Sequence, residues 1–237
     1  MTGVQTCALP IYLPCCTDDK EGRGKGYPIN LVLVGGMDDI ASAFIRRGWD
    51  VTEPISKEWK KHIDLSKIFS TARYRTTPMS REYFFGRSQD YSLQKARQKE
   101  KGNIRQRIEL RVWLAPIKYK GEHVWVGSTT RDIGSDFTRG TKWYAAKSID
   151  PKVDEVRHYL AEDVALSNNL SKFGFVGGSV ASSRSKPGRN FKNQSWSSDG
   201  KRIVLFIGSR PTSLSEIEIL TWDLPGHIPE ELKQLYE

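Results

Sequence analysis

The chain is poor in the residues that most often mark chemistry. It holds three cysteines and four histidines in 237 residues. Cys15 and Cys16 are adjacent, Cys7 stands alone, and His62, His123, His158 and His227 lie far apart. Neighbouring cysteines are a poor disulfide framework, and neither residue type shows metal-ligand spacing. Cys15 and Cys16 therefore read as exposed thiols in a tail, and His158 as the solvent side of a helix. Long apolar runs are missing as well. Asn30–Val34 and Ile203–Ile207 are strand-sized, far short of the ~20 residues a spanning helix needs. No G-x-x-x-x-G-K-[ST] loop occurs, and Gly35-Gly36 lacks the later glycines of a dinucleotide fingerprint, so it fits a tight strand-to-helix turn better. Gly177-Gly178-Ser179-Val180-Ala181 approximates a nucleophile elbow, but a Ser/Arg/Pro/Gly stretch follows where a helix should. No cofactor and no metal are expected.

What remains is a foldable, basic chain. It is 38% hydrophobic and 27% charged, with seven Trp, nine Tyr, nine Phe and a net charge of +9, enough apolar mass for a core. Met1–Ile11 (MTGVQTCALPI) has neither the early positive charge nor the apolar centre of a signal peptide, and reads as a translated sequencing adapter. On that reading the native N-terminus is missing, together with any signal or anchor it carried. The expected division is 1–11 adapter, 12–26 flexible lead-in, 27–224 one domain and 225–237 tail.

Periodicity predicts a buried strand at Asn30–Val34, a helix near Met37–Arg47 stopped by Gly48, and a second helix at Ile55–Phe69. Ile108, Leu110, Val112 and Leu114 alternate with Glu109, Arg111 and Trp113, which predicts a half-buried strand. A hairpin turn at Lys118–Glu122 leads to a strand at His123–Arg131, and Lys142–Ile149 offers another. Asp150-Pro151 reads as the N-cap and first residue of a helix reaching Ser167. Short strands are expected at Phe173–Val176, Ile203–Ile207 (central, covered on both faces) and around Ile217 and Ile219, with a mobile loop over Gly177–Asn190. Helices and strands intermix and neighbouring strands join by hairpins. The predicted class is α+β, a mostly antiparallel mixed sheet with helices packed on it in a single domain.

Two regions hold candidate function. Lys95, Arg97, Lys99, Lys101, Arg105 and Arg107 crowd one stretch against Glu100. A solvated segment is the default reading. Attraction to an anionic lipid surface comes next, because it needs only charge. Nucleic acid ranks third, because no aromatic falls between Ser92 and Leu110 to stack on bases. Tyr74–Leu93 combines Arg87 and Asp90 with clustered aromatics, and these two fit either a functional loop or a structural ion pair. With Arg111, Asp132 and Asp150 they make the candidate set for a hydrolase with one polar cleft.

Several segments in order resemble the LssY-like C-terminal domain. They are Pro28–Gly35, Arg75–Ser80 with Phe84-Phe85-Gly86-Arg87-Ser88-Gln89-Asp90, Leu110–Trp113, Val124–Gly127 with Thr130-Arg131-Asp132, and Ile149-Asp150-Pro151 with Val153-Asp154. The resemblance spans roughly Pro28 to Ile207 and implies a domain of no assigned activity that often follows membrane-embedded modules in bacterial proteins. Phosphatase motifs of those modules are absent here. Members of the family often carry His-His before the Ile-Asp-Pro step, where this chain has Lys147-Ser148. The resulting expectation is a non-catalytic accessory or binding domain of a membrane-linked bacterial protein, partnered by an anionic lipid surface or by a membrane module of the whole protein. The hydrolase and the nucleic-acid-binding module are the alternatives.

Overall fold

Leu31-Val32-Leu33-Val34 and Ile203-Val204-Leu205-Phe206-Ile207 are apolar at every position, so each needs cover on both sheet faces. A computed structural model describes residues 13–22, 25–52, 76–77, 79–100, 103–137, 145–191 and 193–221. The helix expected over 55–69 and the 225–237 tail lie outside the described residues. In chain order the elements begin β1 (Cys16–Asp18), β2 (Lys25–Pro28), β3 (Leu31–Val34), α1 (Met37–Arg46), β4 (Asp50–Val51), β5 (Tyr83–Phe84) and β6 (Arg87–Ser88). The long strands β7 (Tyr91–Glu100), β8 (Asn103–Tyr119) and β9 (Glu122–Phe137) follow, then β10 (Ala145–Ile149), α2 (Val153–Ala165) and β11 (Leu170–Val176). The chain continues with β12 (Ala181–Ser182), β13 (Gly188–Arg189), β14 (Ser195–Trp196), β15 (Ser198–Asp199), β16 (Arg202–Ile207) and β17 (Glu218–Leu220).

The protein is sheet-rich, with two α-helices among the described residues. One nine-stranded sheet runs β17-β11-β16-β3-β9-β8-β7-β4, with β10 on the far part of β9. The β3–β16 and β11–β17 pairs are parallel, and the other pairs of this mixed sheet are antiparallel. β16 is buried along its whole length between β11 and β3, as its continuous apolar run requires. One face packs Leu31, Leu33, Ile108, Leu110 and Leu205 with Ile40 and Phe44 of α1 and Val156, Leu160 and Val164 of α2. Asp163 of α2 then draws three elements together: it accepts from Trp49 Nε1 at 2.9 Å and Lys95 Nζ at 2.6 Å, and Arg47 Nε lies at 3.6 Å.

The other face corrects the reading of β8 as half-buried. Glu109, Arg111 and Trp113 point away from the helices, yet they are 6%, 2% and 0% exposed. A second, four-stranded sheet, β2-β1-β5-β6, is drawn from the segments expected to be a lead-in and a loop. Through Glu82, beside β5, and Phe84 of β5 it meets this face at Arg111 and Trp113. Alternation of polar and apolar residues means two environments, and it does not make the polar one water.

Other local expectations are corrected as well, several of them by pairing with partners distant in sequence. The segment 12–26 is not a flexible lead-in where it is described: β1 and β2 pair. Arg202, fully buried, donates to the carbonyls of Leu13, Pro14, Ile29 and Gly178 at 2.6–3.0 Å. Cys15 and Cys16 are joined as an adjacent disulfide, with Cys16 buried against Val153 and Trp196 rather than exposed in a tail. Gly177–Asn190 is organised by two small ribbons, β12–β15 and β13–β14. Asp150 does not cap α2. The N-cap is Lys152, and Asp150 instead accepts the Lys152 N–H at 3.0 Å.

Candidate functional site

β8 carries a row of charge along one face, and the row is built by strand geometry. Residues two apart share a face, so Arg107, Glu109 and Arg111 line up with Trp113. Across the β8–β9 ladder Arg107 pairs in register with Asp132, Glu109 with Thr130 and Arg111 with Ser128. Arg111 Nη2 donates to Glu109 Oε2 at 3.1 Å and to Ser80 Oγ at 3.3 Å, and Glu82 Oε1 lies 3.6 Å from Arg111 Nε. Glu82 is only 1% exposed and accepts the Thr17 hydroxyl at 2.6 Å. Gln94 Nε2 donates to Glu109 at 3.1 Å, and Gln94 Oε1 takes the Thr77 N–H at 2.8 Å.

Electrostatics follow from burial against pairing. Burial pulls the Arg111 guanidinium down, but the fields of Glu82 and Glu109 more than reverse this and hold its pKa above the ordinary value. Tyr27 faces the same carboxylates, and burial, then Glu82, pushes its phenol up. Arg107 is lowered by burial, against the pull of Asp132 and Glu109. The cluster is thus a charged, hydrogen-bonded seam between two sheets, of the kind that costs most when one member is removed.

The five residues proposed for one hydrolytic cleft do not form one. Arg87 and Asp90 pair with each other; the Arg87 guanidinium also donates to the Leu114 carbonyl, and Asp90 accepts the Leu114 N–H at 2.6 Å. They tie the β5–β6 hairpin to β8. Arg111 sits in the buried seam. Asp132 stands opposite Arg107, and Asp150 accepts from Arg131 Nη1 at 2.9 Å, next to the Ile149–Asp132 pair. Asp90 bonds to β8 at Val112 and Leu114, while Asp132 meets β8 at Arg107. The intervening strand spans about 17 Å at ~3.3 Å per residue. Among the described residues no group of three or more His, Cys, Asp and Glu is arranged to hold a metal ion.

His158 is half-buried rather than on the solvent side. Its ring meets Phe175 edge-on, its Nε2 lies 2.9 Å from Arg157 Nη2, and burial, helped by Arg157, pulls its pKa down to about 4. Arg157, fully buried, makes a bidentate pair with Asp199 at 2.9 Å and also donates to the Lys201 carbonyl at 2.6 Å. The sequence reading missed this lock, as it missed Glu82 and Tyr27. The signal for α2 was present: Arg157 falls in the Val153–Val156–Leu160–Val164 stripe, where a charge needs a partner.

The predicted anionic-surface residues divide. Lys95 and Arg107 are engaged inside: Lys95 pairs with Asp163 and lies over the Tyr159 ring at 5.2 Å, and Arg107 is 5% exposed. Arg97 and Lys99 fall on β7 and Arg105 on β8; Lys101 lies outside the described residues. The β8–β9 ladder begins at Arg107–Asp132, whereas β7–β8 pairing continues to Glu100–Asn103. Arg97, Lys99 and Arg105 therefore belong to a two-stranded arm that runs on after β8 has parted from β9. β9 likewise continues with β10, pairing from Asp132–Ile149 to Phe137–Ala145.

Among the described residues no helix is long and apolar enough to cross a membrane. Neither a curated protein nor a solved structure matches the chain. A family model does: the one described as LssY C-terminus matches residues 8–201, taking in both sheets' strands through β15, the buried seam, the arm and α2. The match carries the resemblance read from Pro28–Gly35 and the Phe-Gly-Arg-Ser-Gln-Asp segment, and on it this chain belongs to the LssY C-terminus family.

Proposed function

We propose that this domain, which takes in β1 and β2 as well as the expected 27–224 span, is an accessory domain, non-catalytic in itself, that docks on an anionic lipid surface by the β7–β8 arm. The observation that carries this reading is the arm's backbone, which extends β7–β8 pairing beyond the sheet's β8–β9 ladder and places Arg97, Lys99 and Arg105 along it. Lys101 follows in the connecting sequence. Those four positions are the active ones, and Lys95 and Arg107 anchor the base through Asp163 and Asp132. At about 1 kcal/mol per basic residue near an anionic leaflet, four contribute about 4 kcal/mol at low salt, near a thousandfold in partition. The net charge of +9 adds a longer-range attraction, screened beyond ~10 Å at 0.1 M salt. The membrane modules that accompany the family supply a setting for such a surface.

Co-sedimentation tests the reading. With the full chain at low salt, binding is expected to vesicles containing one anionic lipid in about three and not to neutral phosphatidylcholine vesicles, with release as salt rises. Equal binding to both vesicle types removes the electrostatic docking. A hydrolase is less well supported, because Asp90 and Asp132 meet β8 about 17 Å apart and the candidate side chains are paired separately. A nucleic-acid-binding module predicts retarded DNA or RNA on a gel at low salt, and we expect unchanged mobility.

A further inference from the structure

A pocket of about 270 Å³ opens where the chain enters α2, far in sequence from the arm, and is lined by residues of two chain segments. One wall is Asp150, Pro151 and Lys152, fixed by the Ser197 N–H donating to the Pro151 carbonyl at 2.7 Å. Arg184 and Pro187, from the turn between the two small ribbons, and Ser195–Ser197 complete the lining. Trp196 is the lining's aromatic residue: it is 3% exposed, backed by Cys16 and Val153, and its ring lies so close on Gly188 that a Cβ there would stand 2.4 Å from Cε2 and Cζ2.

Charge decides what fits. The Asp150 carboxylate is already engaged by Arg131 and by the Lys152 N–H, and Lys152 Nζ by Glu155 at 2.6 Å. Arg184 is exposed and has no ion-pair partner among the described residues. The Trp196 indole N–H is buried without an acceptor among the described residues, and a buried donor left unmet costs about 1–3 kcal/mol. The exposed Arg184 guanidinium, seryl hydroxyls and a Pro-Pro-Trp apolar surface in a volume near the low end for ligand sites select a small ligand with an anionic head and a single-ring body.

We infer that this pocket binds a small organic anion, its phosphoryl or carboxylate head paired with Arg184 and its ring packed among Pro151, Pro187 and Trp196. The test is calorimetric titration of the full chain with phenyl phosphate, benzoate and inorganic phosphate. The expected result is saturable binding of phenyl phosphate or benzoate, at least about tenfold tighter than inorganic phosphate. Arg184→Ala, at an exposed position, weakens it at least about tenfold, and Arg210→Ala, an exposed charge outside the pocket, leaves it unchanged. Absence of binding by both aromatic probes, equal affinity for inorganic phosphate, or equal losses in the two variants overturns the inference. It is separable from the lipid reading: the combined Arg97→Gln, Lys99→Gln, Lys101→Gln and Arg105→Gln variant leaves probe binding intact, and Arg184→Ala leaves selectivity for anionic vesicles intact.

Discussion

Arg111→Leu is expected to lower the unfolding free energy by about 3–5 kcal/mol, the loss typical when one partner of a buried ion pair is removed. The magnitude comes from what is left behind. Glu82 and Glu109, 1% and 6% exposed, share this guanidinium, and without it two buried carboxylates face each other and Tyr27. Adding Glu82→Gln and Glu109→Gln to Arg111→Leu should recover much of the loss, because the amides need no countercharge. Urea unfolding of the single and triple variants measures this. A cost below about 1 kcal/mol for Arg111→Leu alone, as at an exposed pair, would mean that water reaches the seam.

Gly35→Ala is the second large effect expected, about 3–5 kcal/mol or failure to accumulate as folded protein. Gly35 leaves β3 with φ +147°, and a Cβ there would lie 2.1 Å from the Ile207 carbonyl oxygen and 3.2 Å from its carbon. Those atoms are backbone of the neighbouring strand end and cannot swing aside. Gly36→Ala is the internal control: its Cβ would meet nothing nearer than Asp39 Oδ2 at 3.7 Å, so a loss under about 1 kcal/mol is expected. The contrast, read by thermal or urea unfolding, separates the turn's steric demand from a general intolerance of alanine. Similar costs at both positions would contradict it.

Elements with a strong local pattern were legible in the sequence. Leu31–Val34 and Ile203–Ile207 are buried strands, Met37–Arg46 is a helix ended by Gly48 at φ +78°, and Lys120-Gly121 turns β8 into β9 with positive φ at both residues. Each depends on side-chain spacing or on glycine's freedom, which a sequence displays directly. The polar half of the molecule was not legible. Glu82, Arg111, Arg157 and Arg202 look like surface residues by type, and only contacts with Thr17, Glu109, Asp199 and the Leu13–Pro14 carbonyls put them inside. Likewise Asp150 carries the signature of an N-cap, but its carboxylate is drawn to Arg131 on β9, and α2 starts three residues later at Val153. The candidate site shared this fate: one polar cleft was expected, and the residues went to an ion-paired hairpin tie, a buried seam and a strand-end pair.

The arm is the central claim, and charge neutralisation addresses it most directly. Arg97, Lys99, Lys101 and Arg105 changed together to Gln leave Lys95–Asp163 and the Arg107–Asp132 register in place, so the sheet's unfolding free energy should be retained. Against vesicles containing one anionic lipid in about three, at low salt, the variant is expected to lose roughly a hundredfold or more in partition. Undiminished partition by this folded variant, with the wild type still selective for anionic vesicles, would contradict the account and assign the attraction to another face of the protein.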